Sequence, residues 1–190
     1  MKKNILFFII FCCFVAVSHA QTITRARFSL SYRSDNFRFI ELELNNRLLV
    51  GLNGNGDIIY MTTLDGCDAY DTDSLPEITY FDKLDINDIP GRVKSIGNIK
   101  IAYNNVFDVH DVKGTLKSIG DIQVKYYNVF DIHDPKGKVK SVGDVSIIYY
   151  NKFDADQLFG KIKSIKGNNQ RISVFINRAP IPGRYTMLSN

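Results

Sequence analysis

From Gly91 onward the chain repeats itself every 23 residues, and a period of that length restricts what it can build. Gly91, Gly114, Gly137 and Gly160 open successive units. The first reads GRVKSIGNIKIAYNNVFDVHDVK and the second GTLKSIGDIQVKYYNVFDIHDPK, identical at 14 of 23 positions. The third, GKVKSVGDVSIIYYNKFDADQLF, keeps ten of the second's residues, and a fourth starts as GKIKSI before diverging. One period upstream, Ile78, Tyr80, Leu84, Asp85, Asn87 and Asp88 fall under Ile101, Tyr103, Phe107, Asp108, His110 and Asp111. A degenerate unit therefore precedes the first. A unit this short cannot bury an apolar face alone, so neighbours must stack and share a core.

Within each unit the apolar spacing is two. Ile99, Ile101 and Tyr103 alternate with Asn98, Lys100 and Ala102, and Ile122, Val124, Tyr126 and Val145, Ile147, Tyr149 repeat the pattern. Alternation rich in β-branched and aromatic residues predicts strands. Val93, between Arg92 and Lys94, predicts a shorter strand just upstream. A three-residue loop closed by a left-handed Gly97 would set Val93 opposite Ile99 and Arg92 opposite Lys100, with all apolar pairs on one face.

The N-terminal part is strand-like without repeating. Phe28, Leu30, Tyr32 and Ile40, Leu42, Leu44 alternate with polar residues around a turn at Ser34-Asp35-Asn36. Asn53-Gly54-Asn55-Gly56 sits between two apolar runs as a hairpin signal. The expected fold is all-β, an antiparallel meander of repeated hairpins with ten to twelve strands, as a curled sheet or a partly closed barrel. Non-repetitive strands are expected over 21–67 and hairpin repeats over 68–176, as one domain. An irregular tail is expected over 177–190.

Residues 1–20 carry the three parts of a secretory leader: Lys2 and Lys3, an apolar run from Ile5 to Val17, and Ser18-His19-Ala20 before Gln21. The run is shorter than the roughly 20 residues a spanning helix needs. The expectation is export to the periplasm or exterior, with no transmembrane segment after cleavage. The 24 basic residues, less Lys2 and Lys3, face 20 acidic ones, a balance of +2 that argues against a nucleic-acid partner. Cys12 and Cys13 lie within the leader, leaving Cys67 alone and no internal disulfide. It reads as a buried small apolar residue.

Three rows of side chains are candidate sites. Asp108, His110, Asp111 and their equivalents Asp131, His133, Asp134 have the oxygen and imidazole ligands for calcium or a transition metal. Equivalent loops on successive hairpins lie roughly 10 Å apart, too far to share one ion. The other reading is a solvated turn in which Phe107, Phe130 and Phe153 are anchors and the aspartates turn formers. Tyr103, Tyr126 and Tyr149 are expected to stack on the apolar face, with Tyr127 and Tyr150 on the opposite face as a platform for sugars or peptides. Lys94, Lys117, Lys140 and Lys163 form a third row, of the kind that guards sheet edges.

Catalysis finds little to use. Beyond the leader the only histidines are His110 and His133, at equivalent positions, and no nucleophile elbow, zinc-protease or phosphate-loop motif is present. No catalytic residue and no cofactor beyond a possible calcium ion is expected.

The wording G-K-V-K-S-V-G-D-V-S-I-I-Y-Y-N-K-F-D resembles small secreted proteins of Bacteroidetes-type bacteria with tandem KSIG–YYN–FDIHD units. The likeness covers residues 78–166. More loosely, G-K-x-K-S followed by paired tyrosines is similar to bacterial MORN-type hairpin repeats. The first resemblance implies export and no established activity, the second implies hairpin repeats, and neither supplies catalytic residues. The expected function is a non-enzymatic structural or interaction module whose partner is an envelope protein or a glycan.

Overall fold

The structure is a computed structural model and describes residues 21–31, 37–64 and 75–177. The leader, the turn at Ser34–Asn36, Cys67 and the tail beyond Asn177 lie outside the described residues.

The protein is all-β, as the alternation predicts, and its strands form two sheets rather than one. The first strands are β1 (Ile23–Ser31), β2 (Phe37–Leu44), β3 (Leu48–Asn53) and β4 (Ile58–Thr63). The repeats then give β5 (Ile78–Tyr80), β6 (Val93–Ile96), β7 (Ile99–Tyr103), β8 (Leu116–Ile119) and β9 (Ile122–Tyr126). They continue as β10 (Val139–Val142), β11 (Val145–Tyr149) and β12 (Ile162–Lys166), before a last strand, β13 (Ile172–Asn177). Strands β5 to β12 make an eight-stranded antiparallel meander. The other sheet has the order β13-β1-β2-β3-β4, and β13 runs parallel to β1. Neither the second sheet nor the parallel pair follows from the local alternation. The repeat block placed at 68–176 ends, as a sheet, with β12, and β13 leaves it to join the N-terminal strands.

The apolar faces of the two sheets meet in one core. Phe28, Ile40 and Leu42 come from the smaller sheet, while Ile96, Ile119 and Ile147 come from the repeats. Polar clasps tie the rims. Arg171, just before β13, bonds both carboxylate oxygens of Asp121 at 2.7 and 2.8 Å, and its Nε reaches the Ile23 carbonyl at 3.2 Å. Gln21 and Asn98 exchange two bonds through the Asn98 amide.

The hairpin register differs from the one the alternation predicts. Ile96 pairs with Ile99 and Ser95 with Lys100, so the turn is the two residues Gly97-Asn98. Gly97 has φ 58°, and only this first turn residue is left-handed, the pattern of a type II′ turn. A regular ladder in this register would set Lys94 against Ile101 on the core face. A β-bulge prevents that. On the other side of β6, Ser95 pairs with Thr79 but Val93 with Tyr80, leaving Lys94 as the extra residue. Lys117, Lys140 and Lys163 are skipped in the same way. Each bulge turns its lysine outward and lets two apolar residues three apart, such as Leu116 and Ile119, both face the core.

Burial grades along the array. Ile147 is buried in the interior of the repeat sheet, whereas Ile165 on the terminal strand β12 is half-buried. Ile147→Ala is expected to cost about 3–4 kcal/mol of unfolding free energy and Ile165→Ala at most half of that. Urea unfolding of the two variants measures the difference.

Candidate functional site

After the second strand of each hairpin the chain leaves the sheet in a loop that returns to a glycine. Gly114 donates its N–H to the Asn104 carbonyl at 2.7 Å, and Asn104 donates to Thr115 at 2.8 Å, closing the loop 105–113 at its neck. The same pair of bonds closes 82–90, 128–136 and 151–159. The closing glycines have φ between 75° and 85°, a conformation that costs glycine little.

Inside the loop a reciprocal side-chain lock sets the path. Asn105 Oδ1 accepts the Phe107 N–H at 3.0 Å, and Asp108 Oδ2 accepts the Asn105 N–H at 3.0 Å. Asp108 Oδ1 receives Lys117 Nζ, the bulged lysine of the next unit, at 2.6 Å. The lock recurs with Asn128, Asp131 and Lys140, with Asn151, Asp154 and Lys163, and with Asp82, Asp85 and Lys94. The Lys117 bond and the Asn105 N–H hold the Asp108 carboxyl below the usual aspartate range, against burial. At Asp131 burial pushes upward, but Lys140 and the Asn128 N–H outweigh it.

These bonds engage the aspartates that sequence reasoning offered to a metal. Both oxygens of Asp108 and of Asp131 already hold a lysine and a backbone N–H. The histidines are not turned toward them. His110 packs against the ring of Phe130, centroids 4.6 Å apart, and His133 against Phe153 at 4.5 Å. Asp111 and Asp134 donate their backbone N–H groups to the carbonyls of Asp108 and Asp131. Among the described residues no group of three or more His, Cys, Asp or Glu is arranged to hold a metal ion.

The tyrosines divide otherwise than expected. Tyr103, Tyr126 and Tyr149 do line the core, and the Tyr126 hydroxyl donates to the Leu116 carbonyl beside the bulge at 2.9 Å. The Tyr103 hydroxyl is buried without a hydrogen-bond partner, and burial pushes it up to about 12. Tyr127, expected on an outward platform, is buried instead, and its hydroxyl donates to the Ile147 carbonyl at 3.1 Å. Tyr150 is half-buried beneath Lys163, whose Nζ lies 5.2 Å from the ring centre. The bulge explains the change. Turning Lys140 and Lys163 outward lays their stems across these rings, so the rings cover the loop neck rather than face solvent.

The phenylalanines reverse their expected role as well. Leu84, Phe107, Phe130 and Phe153, equivalent by the period, are between 70% and 86% exposed. Ile86, Val109 and Ile132, two residues further on in three of the loops, are exposed too. The lock is the physical reason, because it fixes residue three of each loop at the tip, away from the core. Weighted by their partial exposure, seven side chains of roughly 150 Å² each present on the order of 800 Å² of apolar surface in total along the loops. The largest patch on an ordinary monomer is about 300–600 Å². The signal in the sequence was the Asn-x-Phe-Asp spacing, which places Phe inside a polar turn.

The chain matches no protein-family model, no curated protein and no solved structure. Among the described residues no helix is long and apolar enough to cross a membrane.

A carboxyl held low in the folded chain stabilises it above its unfolded pKa of about 4, and the contribution disappears as pH falls through the folded value. Lys117→Met with Lys140→Met removes two such couplings, each worth about 1 kcal/mol or less with half-exposed lysines. The double variant should lose stability at pH 7 and converge on the unaltered protein near pH 2. Thermal melts across that pH range give the answer.

Proposed function

We propose that this is an exported, non-enzymatic β-repeat protein that works as an interaction module, docking an extended apolar surface of an envelope protein along its row of loops. One observation carries the reading: four successive loops hold large apolar side chains outward. The holding is specific. The Asn–Asp–Lys lock, with Asp82 in place of the asparagine in the first loop, fixes each loop from below, and the His110–Phe130 and His133–Phe153 contacts join the last three loops. A fixed aromatic side chain loses little conformational freedom on binding, which favours affinity. The leader-like segment at 1–20 supports export. The commitment of both histidines to ring contacts supports a non-enzymatic role.

The test compares the unaltered protein with a Phe107→Ser, Phe130→Ser, Phe153→Ser variant. These side chains are exposed, so thermal midpoints should agree within a few degrees. The unaltered protein is expected to bind an apolar fluorescent dye while folded and to retain envelope protein from the producing cell. The variant should lose at least tenfold of both. Equal retention by the two proteins would contradict the reading.

A further inference from the structure

Among the described residues the repeat sheet ends in β5 on one side and β12 on the other, and these are different halves of one hairpin. Strand β5 is equivalent to β7, β9 and β11, the second strand of a hairpin, and among the described residues no strand takes the first position beside it. Strand β12 is equivalent to β6, β8 and β10, a first strand, and among the described residues no strand takes the second position beside it. Each end therefore presents the edge that the other end would fill.

Burial records what is missing. Tyr80 on β5 is 51% exposed, while its equivalents Tyr103, Tyr126 and Tyr149 are at most 6% exposed. Ile78 is half-buried where Ile101, Val124 and Ile147 are buried. At the other end Ile162 and Ile165 are half-buried, although Val93, Leu116, Val139 and Ile96, Ile119, Val142 are all buried. Inside the array, neighbouring units supply that cover. Terminal units of solenoids are kept apart by polar capping faces, and here apolar side chains of both end strands stay partly exposed. Strand β13 shows the opposite treatment. The Asn168 side chain accepts the Val174 N–H at 2.9 Å and donates to its carbonyl at 3.0 Å, satisfying that backbone on the sheet edge.

We propose that copies of this chain add head to tail, β12 of one pairing antiparallel with β5 of the next in the register of the internal hairpins. Ser95 faces Lys100 inside the array, so Ser164 faces Glu77 of the second copy, its equivalent by the period. The β12 edge carries exposed Lys161 and Lys166 and the β5 edge exposed Glu77, so the two edges differ in the sign of their charge. Pro76 takes the place of Ile99 and lacks an N–H, so the junction has one ladder bond fewer and is reversible. Joining unlike edges builds an open chain of copies rather than a closed dimer. The loop 151–159 of one copy then lies beside 82–90 of the next, and the apolar row continues across the junction. The proposal stands apart from partner docking: Phe107→Ser, Phe130→Ser and Phe153→Ser leave both edges intact.

Sedimentation velocity on the full chain without its leader, over a wide concentration range, tests it. The unaltered protein should form a concentration-dependent series of dimer, trimer and longer species. Tyr80→Lys blocks the β5 edge and Ile165→Lys blocks the β12 edge. Each variant alone should remain a monomer, and an equal mixture should form a heterodimer and nothing larger, because one competent junction survives. Lys161→Glu with Lys166→Glu is a second block of the β12 edge should Ile165→Lys fail to fold by circular dichroism. A protein that stays monomeric at every concentration overturns the proposal. So does a dimer that grows no further and that neither variant abolishes.

Discussion

The bulged lysine is the element on which the other features of each unit depend. A strand alternates its side chains strictly, so two apolar residues three apart cannot both face one core without an interruption. The residue skipped at Lys94, Lys117, Lys140 and Lys163 supplies that interruption. It brings Val93 and Ile96, or Leu116 and Ile119, to the same interior. It also turns a long cationic side chain outward beside the preceding loop, where an aspartate nine residues earlier receives it. Strand geometry, core packing and loop conformation are thus set together by one insertion per period.

Stacking alone would leave the repeat sheet with one apolar face in water, since an antiparallel meander buries nothing on its own. The N-terminal strands cover that face, and β13 returns from the end of the array to lie parallel to β1. Strands β1 and β13 are therefore joined across the whole repeat block, with Arg171 clasping Asp121 and Ile23 at the seam. One shared core follows, and the opposite edge of the array is left to the loops. Their tips carry Leu84, Phe107, Phe130 and Phe153 outward because the lock beneath them uses every oxygen of its aspartate.

Much of this was legible in the sequence. The period, the strands and the inward row of Tyr103, Tyr126 and Tyr149 all follow from spacing. The register did not, because a ladder was assumed regular, and a two-residue loop at Gly97-Asn98 would then have paired Lys94 with Ile101. The phenylalanines were misread for a related reason: apolar character argues for burial, while the Asn105–Asp108 lock that holds Phe107 outward appears only once backbone bonds are known. Tyr127 followed the same error in reverse, since its ring is covered by a lysine whose direction the bulge decides. The destination of β13 was not encoded locally at all. Ile172, Val174 and Ile176 announce a strand but not the sheet that receives it.

Deleting single residues measures the bulge most directly. Removal of Lys117 should convert the β7–β8 pairing into a regular ladder, because Tyr103 already faces Leu116 and Ala102 already faces Ser118. Removal of Gln123 from the unbulged strand β9 should instead turn half of that strand's apolar residues away from the core. Urea unfolding is expected to show a cooperative transition for the Lys117 deletion, weakened by no more than about 2 kcal/mol, the loss of an exposed ion pair and minor repacking. The Gln123 deletion should show no folded baseline. Equal damage from the two deletions would contradict the account.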